Sequence, residues 1–285
     1  MTMQQQYADY QVVPYPRYQR FAAAAYQTVR HKQMIHGLFE VDVTRARTAL
    51  REYKARTGET LSFTAFLAAC LAKAVDEHKA VQAFRKGGKR LVLFEDVDIS
   101  TRVEHEVAGK KYVVPYIIRA ANRKSVREIH NEIRAAQAAD VRHALTRFQL
   151  LPVALYRPFA LAIVALGRMR PHLWKSLMGT VGLTSVGMFG SGAGWGIPAS
   201  SPTALMLTVG GIGEKQTMVD GRPLVREYLS LTMSVDHDLV DGAPAARFTQ
   251  RLKELIESGY GLDLDLGSPT IDKIEPSLAA VRGAS

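Results

Sequence analysis

A chain of 285 residues, 47% hydrophobic and 22% charged, carries enough apolar material for the core of one large domain or two small ones. Its formal net charge of +10 suits an anionic partner, but the sequence shows no zinc-ligand spacing, RNA-binding aromatic motif or helix-turn-helix pattern, so no nucleic acid is expected. Cys70 is the single cysteine, which excludes a disulfide within the chain and fits a reducing, cytoplasmic location.

The first residues, Met1–Tyr10, are polar and lack the basic-then-apolar order of a signal peptide. Residues 1–16 read as a loosely held N-terminal arm. Tyr18–Val29 is Ala-rich and helical, with Arg20 near its start. Met34–Val43 alternates as a strand does. Thr44 is placed to cap a helix over Arg45–Arg56 that stops at Gly58, and Ser62 to cap an apolar helix over 63–78. Within that second helix Cys70 reads as core and not as a nucleophile. Leu91–Phe94 and Val97–Val103 are strand-like; the turn Ala108–Lys110 and the strand Tyr112–Ile118 follow. Ser125 opens a charged helix to about Thr146, whose Arg127, Arg134, Arg142 and Arg147 read as a solvated face.

Residues 149–178 are unusually apolar. The run Pro158–Gly167 is too short to span a bilayer, which takes roughly 20 residues. It reads as one or two buried or interface helices; the sharper alternative is a hydrophobic lid or shallow membrane contact, because Arg168, Arg170 and Lys175 flank it. Gly179–Gly196 interleaves Val, Leu, Met, Phe and Trp with glycine and serine, so it reads as a strand and a tight functional loop. Leu205–Val209 is a buried strand, and Gly211–Arg222 a hairpin-like excursion turning at Asp220-Gly221. Leu229–Val235 is a strand, and a last helix from about Ala243 to Ser258 stops at Gly259. Residues 263–285 form a C-terminal tail. Strands alternate with helices and no linker or repeat intervenes, which predicts one α/β domain over 17–262.

The strand Leu229–Val235 delivers His237 to its end, and Asp241 and Gly242 follow where a helix begins. Histidine titrates closest to neutrality, so at this position it can take up a proton and return it. Gly242 lets the chain turn into the helix without a Cβ clash. No metal-ligand cluster is read from the sequence.

The pattern His237-x-x-x-Asp241-Gly242 followed by Ala-x-x-Ala-x-Phe248 resembles the active-site signature of the 2-oxo acid dehydrogenase acyltransferases, whose fold chloramphenicol acetyltransferase shares. Four further stretches resemble the same family in order: Phe39–Thr44; Leu61–Phe66; Val113-Val-Pro115 with Asn122–Ile129; and Gly179-Thr180 with Thr184–Gly190. The resemblance runs from about Tyr15 to Leu262 and implies a two-layer mixed-sheet α/β fold of the chloramphenicol acetyltransferase kind. It implies a coenzyme A-dependent acyltransferase, with acyl-CoA as substrate and any lipoyl group on a separate protein. On that resemblance the sequence reads as a bare catalytic module, and a homotrimer with active sites between subunits is implied. His237 takes the role of general base. Thr184 takes that of the hydroxyl donor to the oxyanion, with Ser185 the neighbouring candidate. Asp241 forms a structural ion pair with an early arginine, which counting back places at Arg20.

Three departures from the family pattern fall in its substrate region. Asp238 stands where the dehydrogenase subunits carry Arg, Ser200 stands for the Asn of an Ile-Asn-Pro-Pro stretch, and 149–178 replaces a polar segment. They bear on the acceptor, either dihydrolipoamide on a lipoyl-domain protein or a small or lipidic molecule. The alternative from another class is a non-catalytic trimeric scaffold or membrane-associated assembly protein with a modified site.

Overall fold

The computed structural model of the chain describes residues 14–15, 19–20, 23–24, 27, 32–87, 89–107, 110–139, 152–187, 192–198, 200–219 and 221–262. The arm expected at 1–16, apart from 14 and 15, the tail at 263–285 and the stretch from 140 to about Thr146 lie outside these residues. Of the helix expected over Tyr18–Val29, residues 19, 20, 23, 24 and 27 are described, and all are helical.

Period-two alternation builds the strands. β1 (Met34–Asp42), β4 (Ile99–Val107), β5 (Lys110–Ile118), β6 (Val181–Ser185), β7 (Leu205–Val219) and β8 (Arg222–Asp236) form one sheet in the order β1-β8-β7-β6-β4-β5. The β4–β6 and β6–β7 pairs are parallel and the other three antiparallel, so the sheet is mixed. β2 (Phe84–Lys86) and β3 (Arg90–Val92) make a separate small hairpin. In β8 the core-facing residues are Leu229, Leu231, Met233 and Val235. They share one hydrophobic cluster with α1 (Thr44–Thr57), α2 (Phe63–Glu77), α3 (Val126–Ala138) and α6 (Gly242–Ser258), the helical layer. Phe66 of α2 and Phe248 of α6 are completely buried, each contributing about 2–3 kcal/mol on burial. The expected two-layer α/β architecture is the one found.

Local signals act largely as expected. Ser62 accepts from the Ala65 N–H at 3.4 Å, Ser125 and Glu128 form a reciprocal capping box, and Gly58 and Gly259 end their helices in the left-handed region. Thr44 does not cap. Val43 precedes the helix without a side-chain cap, and the Thr44 hydroxyl instead accepts from the Glu227 N–H at 2.9 Å, tying α1 to β8. Burial raises the Cys70 thiol well above its ordinary value, in keeping with a core residue.

The glycine-rich stretch is packed. A Cβ on Gly210 would come within 2.0 Å of the Gly194 carbonyl, and one on Gly211 within 1.9 Å of the Gly192 carbonyl. Backbone meets backbone there, across a bulge in β7 between Val209 and Ile212. The apolar segment forms α4 (Tyr156–Met169) and α5 (Pro171–Met178), the second opened by a proline in its first turn. A methyl on Gly167 would meet the Trp174 ring at 2.3 Å, so the glycine sets how closely α5 folds back on α4. Lys175, one of the basic residues flanking the apolar run, turns inward: its ammonium lies 3.8 Å from Asp98 and over the Phe94 ring.

Arg251 of α6 grips Glu77 of α2 with contacts of 2.6 and 3.2 Å, and Lys73 adds a third at 3.2 Å. The hydrogen bond from Arg251 is the main reason the Glu77 carboxyl falls from 4.5 to about 2. A depressed carboxylate contributes fully above its unfolded value and ceases to contribute as pH falls through its folded value. Glu77→Gln is therefore expected to cost roughly 0.5–1 kcal/mol at pH 7 in urea unfolding, with the difference from the parent vanishing between about pH 4.5 and 2.

Candidate active site

His237 follows the last residue of β8, and backbone bonds hold its turn on every side. Its own N–H donates to Gln33 O at 2.7 Å, the Asp236 N–H donates to Ala204 O at 2.9 Å, and the N–H groups of Leu239 and Val240 both reach Asp236 O at 3.0 Å. The Asp236 side chain, 6% exposed, is paired with Lys32 at 3.2 Å, and the same ammonium donates to the Pro202 and Thr203 carbonyls. One cation thus joins the start of β1, the end of β8 and the loop entering β7. Sequence reading missed this pair. Its signal was a carboxylate ending an apolar strand beside a histidine, with a lysine two residues before a strand that could pair with it.

The imidazole itself is open, with 47% of the side chain exposed, and its Nδ1 lies 3.9 Å from Asp241 Oδ1. That orientation leaves Nε2 on the far side of the ring to take a proton. Asp241 is the residue preceding α6, where the helix N-terminus favours a negative charge, and Ala245 N–H donates to its carbonyl at 3.1 Å. The structure does not bring Arg20 and Asp241 together. Arg20 Nε donates to the Tyr15 carbonyl at 3.0 Å and its guanidinium stacks over the Tyr15 ring, while Asp241 is 86% exposed beside His237. The buried Lys32–Asp236 pair holds the turn in its place.

Thr184 and Ser185 end β6, and strand alternation points them to opposite faces. Ser185 pairs with Val209 of the core face, whereas Thr184 lines up with Thr208 and Thr232 on the other face. Neither meets His237 within the chain. Val235 pairs with Leu205, and Leu205 with Val181, so His237 lies two residues to one side of that row and Thr184 three to the other. At roughly 3.3 Å per residue and 4.8 Å per strand, the two are roughly 19 Å apart.

Asp238 points toward the small hairpin, 3.7 Å from Arg85 of β2. Ser200 is half-buried on the loop that enters β7. Gly179 and Thr180 clamp β6 to β4: Thr180 N–H donates to Asp98 O at 2.7 Å, and a Cβ on Gly179, at φ 74°, would meet that carbonyl at 2.7 Å. Among the described residues no group of histidine, cysteine and carboxylate side chains could hold a metal ion.

Removing one partner of a buried pair leaves the other charge uncompensated. Lys32→Met is expected to lower stability by about 3 kcal/mol, and the double variant Lys32→Met/Asp236→Leu to recover most of it, both read by urea unfolding. His237→Ala, at an exposed position, is expected to change stability by less than about 0.5 kcal/mol.

Residues 7–150 and 161–262 match the family of 2-oxoacid dehydrogenases acyltransferase catalytic domains. The lipoamide acyltransferase component of the branched-chain alpha-keto acid dehydrogenase complex of Bacillus subtilis is 27% identical over 226 residues, 78% of this chain and 46% of that protein. The succinyltransferase component of the 2-oxoglutarate dehydrogenase complex of Bartonella vinsonii is 28% identical over 236 residues, 80% of this chain and 48% of that protein. The chain spans about half the length of these curated relatives. Among solved structures, the cubic core of the pyruvate dehydrogenase multienzyme complex superposes with a TM-score of 0.65 at 20% identity, covering 92% of this chain and 97% of that one. A probable dihydrolipoamide acetyltransferase from Listeria monocytogenes gives 0.62 at 22% identity, covering 88% and 96%. These two likenesses show a shared fold. The family match contains Thr184, His237 and Asp241 and breaks only at 151–160, which includes the start of α4. The chain belongs to the 2-oxoacid dehydrogenase acyltransferase family, through its catalytic domain.

Proposed function

We propose that the chain transfers an acyl group between coenzyme A and a thiol, such as dihydrolipoamide carried on a separate lipoyl protein, or another acceptor. His237 acts as general base. It takes the acceptor proton at Nε2 as the sulfur attacks the thioester carbon, and the carbonyl oxygen becomes an oxyanion. Collapse of that intermediate breaks the bond to coenzyme A, whose thiolate takes the proton back from the imidazolium. Asp241 Oδ1, 3.9 Å from Nδ1, lies on the side of the ring away from this proton transfer. A hydroxyl aimed at the oxyanion contributes about 2.7–4 kcal/mol of transition-state stabilisation. Thr184 is the better candidate for it, since Ser185 lies on the core side of the sheet.

The observation that carries this reading is the separation of an exposed, well-held histidine from the hydroxyl of the same chain. A single chain cannot close the site, so the hydroxyl comes from a neighbouring copy, as a homotrimer with sites between subunits would provide. The relatives' names, which include acyl, succinyl and acetyl transfer to lipoyl groups, support the reaction class. The chain's charge of +10 suits the phosphates of coenzyme A.

A second reading adds a surface contact. α4 and the turn before it expose Leu155, Phe159, Leu161, Leu166 and Met169, with the exposed Arg157 and Arg170 beside them. This is an interfacial pattern, although no helix among the described residues is long and apolar enough to cross a membrane.

His237→Ala is expected to lower acyl-CoA turnover by about 10²–10⁴-fold, and Thr184→Ala by about 10²–10³-fold. Mixing the two inactive proteins under exchange conditions is expected to restore part of the activity, because some interfaces then hold one intact histidine and one intact threonine. Lack of turnover with acetyl-, branched- and longer-chain acyl-CoA, with His237→Ala indistinguishable from the parent, would eliminate the enzyme reading. Co-sedimentation with anionic vesicles, abolished by Arg157→Glu/Arg170→Glu, is the result expected of a membrane contact; equal recovery with and without vesicles excludes it.

A further inference from the structure

Beside the histidine turn lies a cavity of about 670 Å³, a size that suits a small-molecule ligand. The turn itself forms one wall, with Asp236, Asp238 and Leu239. The other walls combine Lys32, Thr180 and Thr203 with apolar side chains from elements that the acyl-transfer chemistry does not use. α4 and α5 supply Val164, Met169 and Trp174, the small hairpin supplies Phe84, and the segment before β4 supplies Phe94. The apolar helices α4 and α5 thus roof a chamber whose lining includes Asp236 and Asp238, the two chain neighbours of His237. Phe84 and Trp174 stack with ring centroids 6.0 Å apart, which fixes roof to wall.

The chamber also has a polar point. Gln82 is 1% exposed and lines it. Its Nε2 donates to the Phe94 carbonyl at 2.7 Å, which settles the orientation of the amide, and its Oε1 has no hydrogen-bond partner among the described residues. A buried carbonyl acceptor without a donor is uncommon in folded proteins. The charged side chains nearby are occupied: Lys32 with Asp236, and Arg85 with Asp238.

The geometry points to this chamber as the acyl-chain site of the transfer, one that takes a medium-length or branched apolar acyl group. The inference rests on the acyl-transfer reading and deepens it. The thioester carbon is held at His237, and the tail runs past Leu239 under α4. A dicarboxylic acyl group is disfavoured, because Lys32 and Arg85 of the lining each already face an aspartate.

Binding and turnover are measured on the full chain with acetyl-, succinyl- and octanoyl-CoA. Trp174 is buried in the wall, while Trp195 is 45% exposed; in a Trp195→Phe background, fluorescence therefore reports on the chamber. Octanoyl-CoA is expected to change Trp174 emission where acetyl-CoA does not, and to be turned over with at least a tenfold lower KM. Val164→Phe, which fills the chamber from α4, is expected to abolish the emission change and shift the octanoyl-to-acetyl ratio of kcat/KM tenfold toward acetyl. Leu161→Ala, on the solvent side of the same helix, leaves both readouts as they were. If acetyl-CoA is turned over but Val164→Phe moves neither emission nor ratio, or if succinyl-CoA is preferred, the chamber is not the acyl site. If octanoyl-CoA perturbs Trp174 in a manner abolished by Val164→Phe, yet no acyl-CoA is consumed, the chamber binds the chain and the transferase reading fails instead.

Discussion

The register of β8 is the constraint on which the site depends. This strand of 15 residues is bonded to β1 on one side and β7 on the other. A slip of one residue would turn Leu229, Leu231, Met233 and Val235 away from the helical layer and put Ser230, Thr232 and Ser234 into it. That penalty fixes where the strand ends, and so where His237 stands. Met34 pairs with Asp236 across β1, and this brings Lys32 to the buried carboxylate next to the histidine. A buried ion pair adds little net stability but strongly disfavours any arrangement that separates its members. Here it gives the turn one position.

The opposite end of the sheet is set by glycine. Gly192 and Gly194 press their carbonyls against Gly210 and Gly211 at distances no Cβ could tolerate. The loop that covers the far face of the sheet can therefore lie flat over Ser230, Thr232 and Thr208, which are buried although they point away from the helical core. The same packing holds the outer end of β6, where Thr184 sits. The two ends of one sheet thus carry His237 and Thr184, and the sheet keeps them apart within one chain.

The apolar segment contains the break in the family match, at 151–160. α4 and α5 bury one side against the small hairpin and expose the other, and Lys175 is drawn into the Asp98 centre that also binds Arg119 at 2.8 Å. The Asp238 departure belongs to the same region, since its partner Arg85 lies on that hairpin. Both differences shape the chamber next to the histidine.

Much of this was legible in the residues because the signals are local. Alternation marked β1, β6 and β8, Ser62 and Ser125 announced their helices, Gly58 and Gly259 their ends, and the His237–Gly242 run its place between strand and helix. Thr44 misled because a hydroxyl at a helix start can serve either the helix or a neighbouring strand, and only the approach of Glu227 decided between them. The sequence by itself determined the family, the order of elements and the identity of the candidate base. Tertiary structure alone decided that Lys32, and not Arg20, steadies the turn, that Thr184 lies far from His237 in one chain, and that α4 roofs a chamber containing Gln82. The physical reason is one of range. Capping, alternation and turn chemistry act over a few residues and leave a mark in the text, whereas strand pairing and burial join positions up to two hundred residues apart and leave none until the chain has closed on itself.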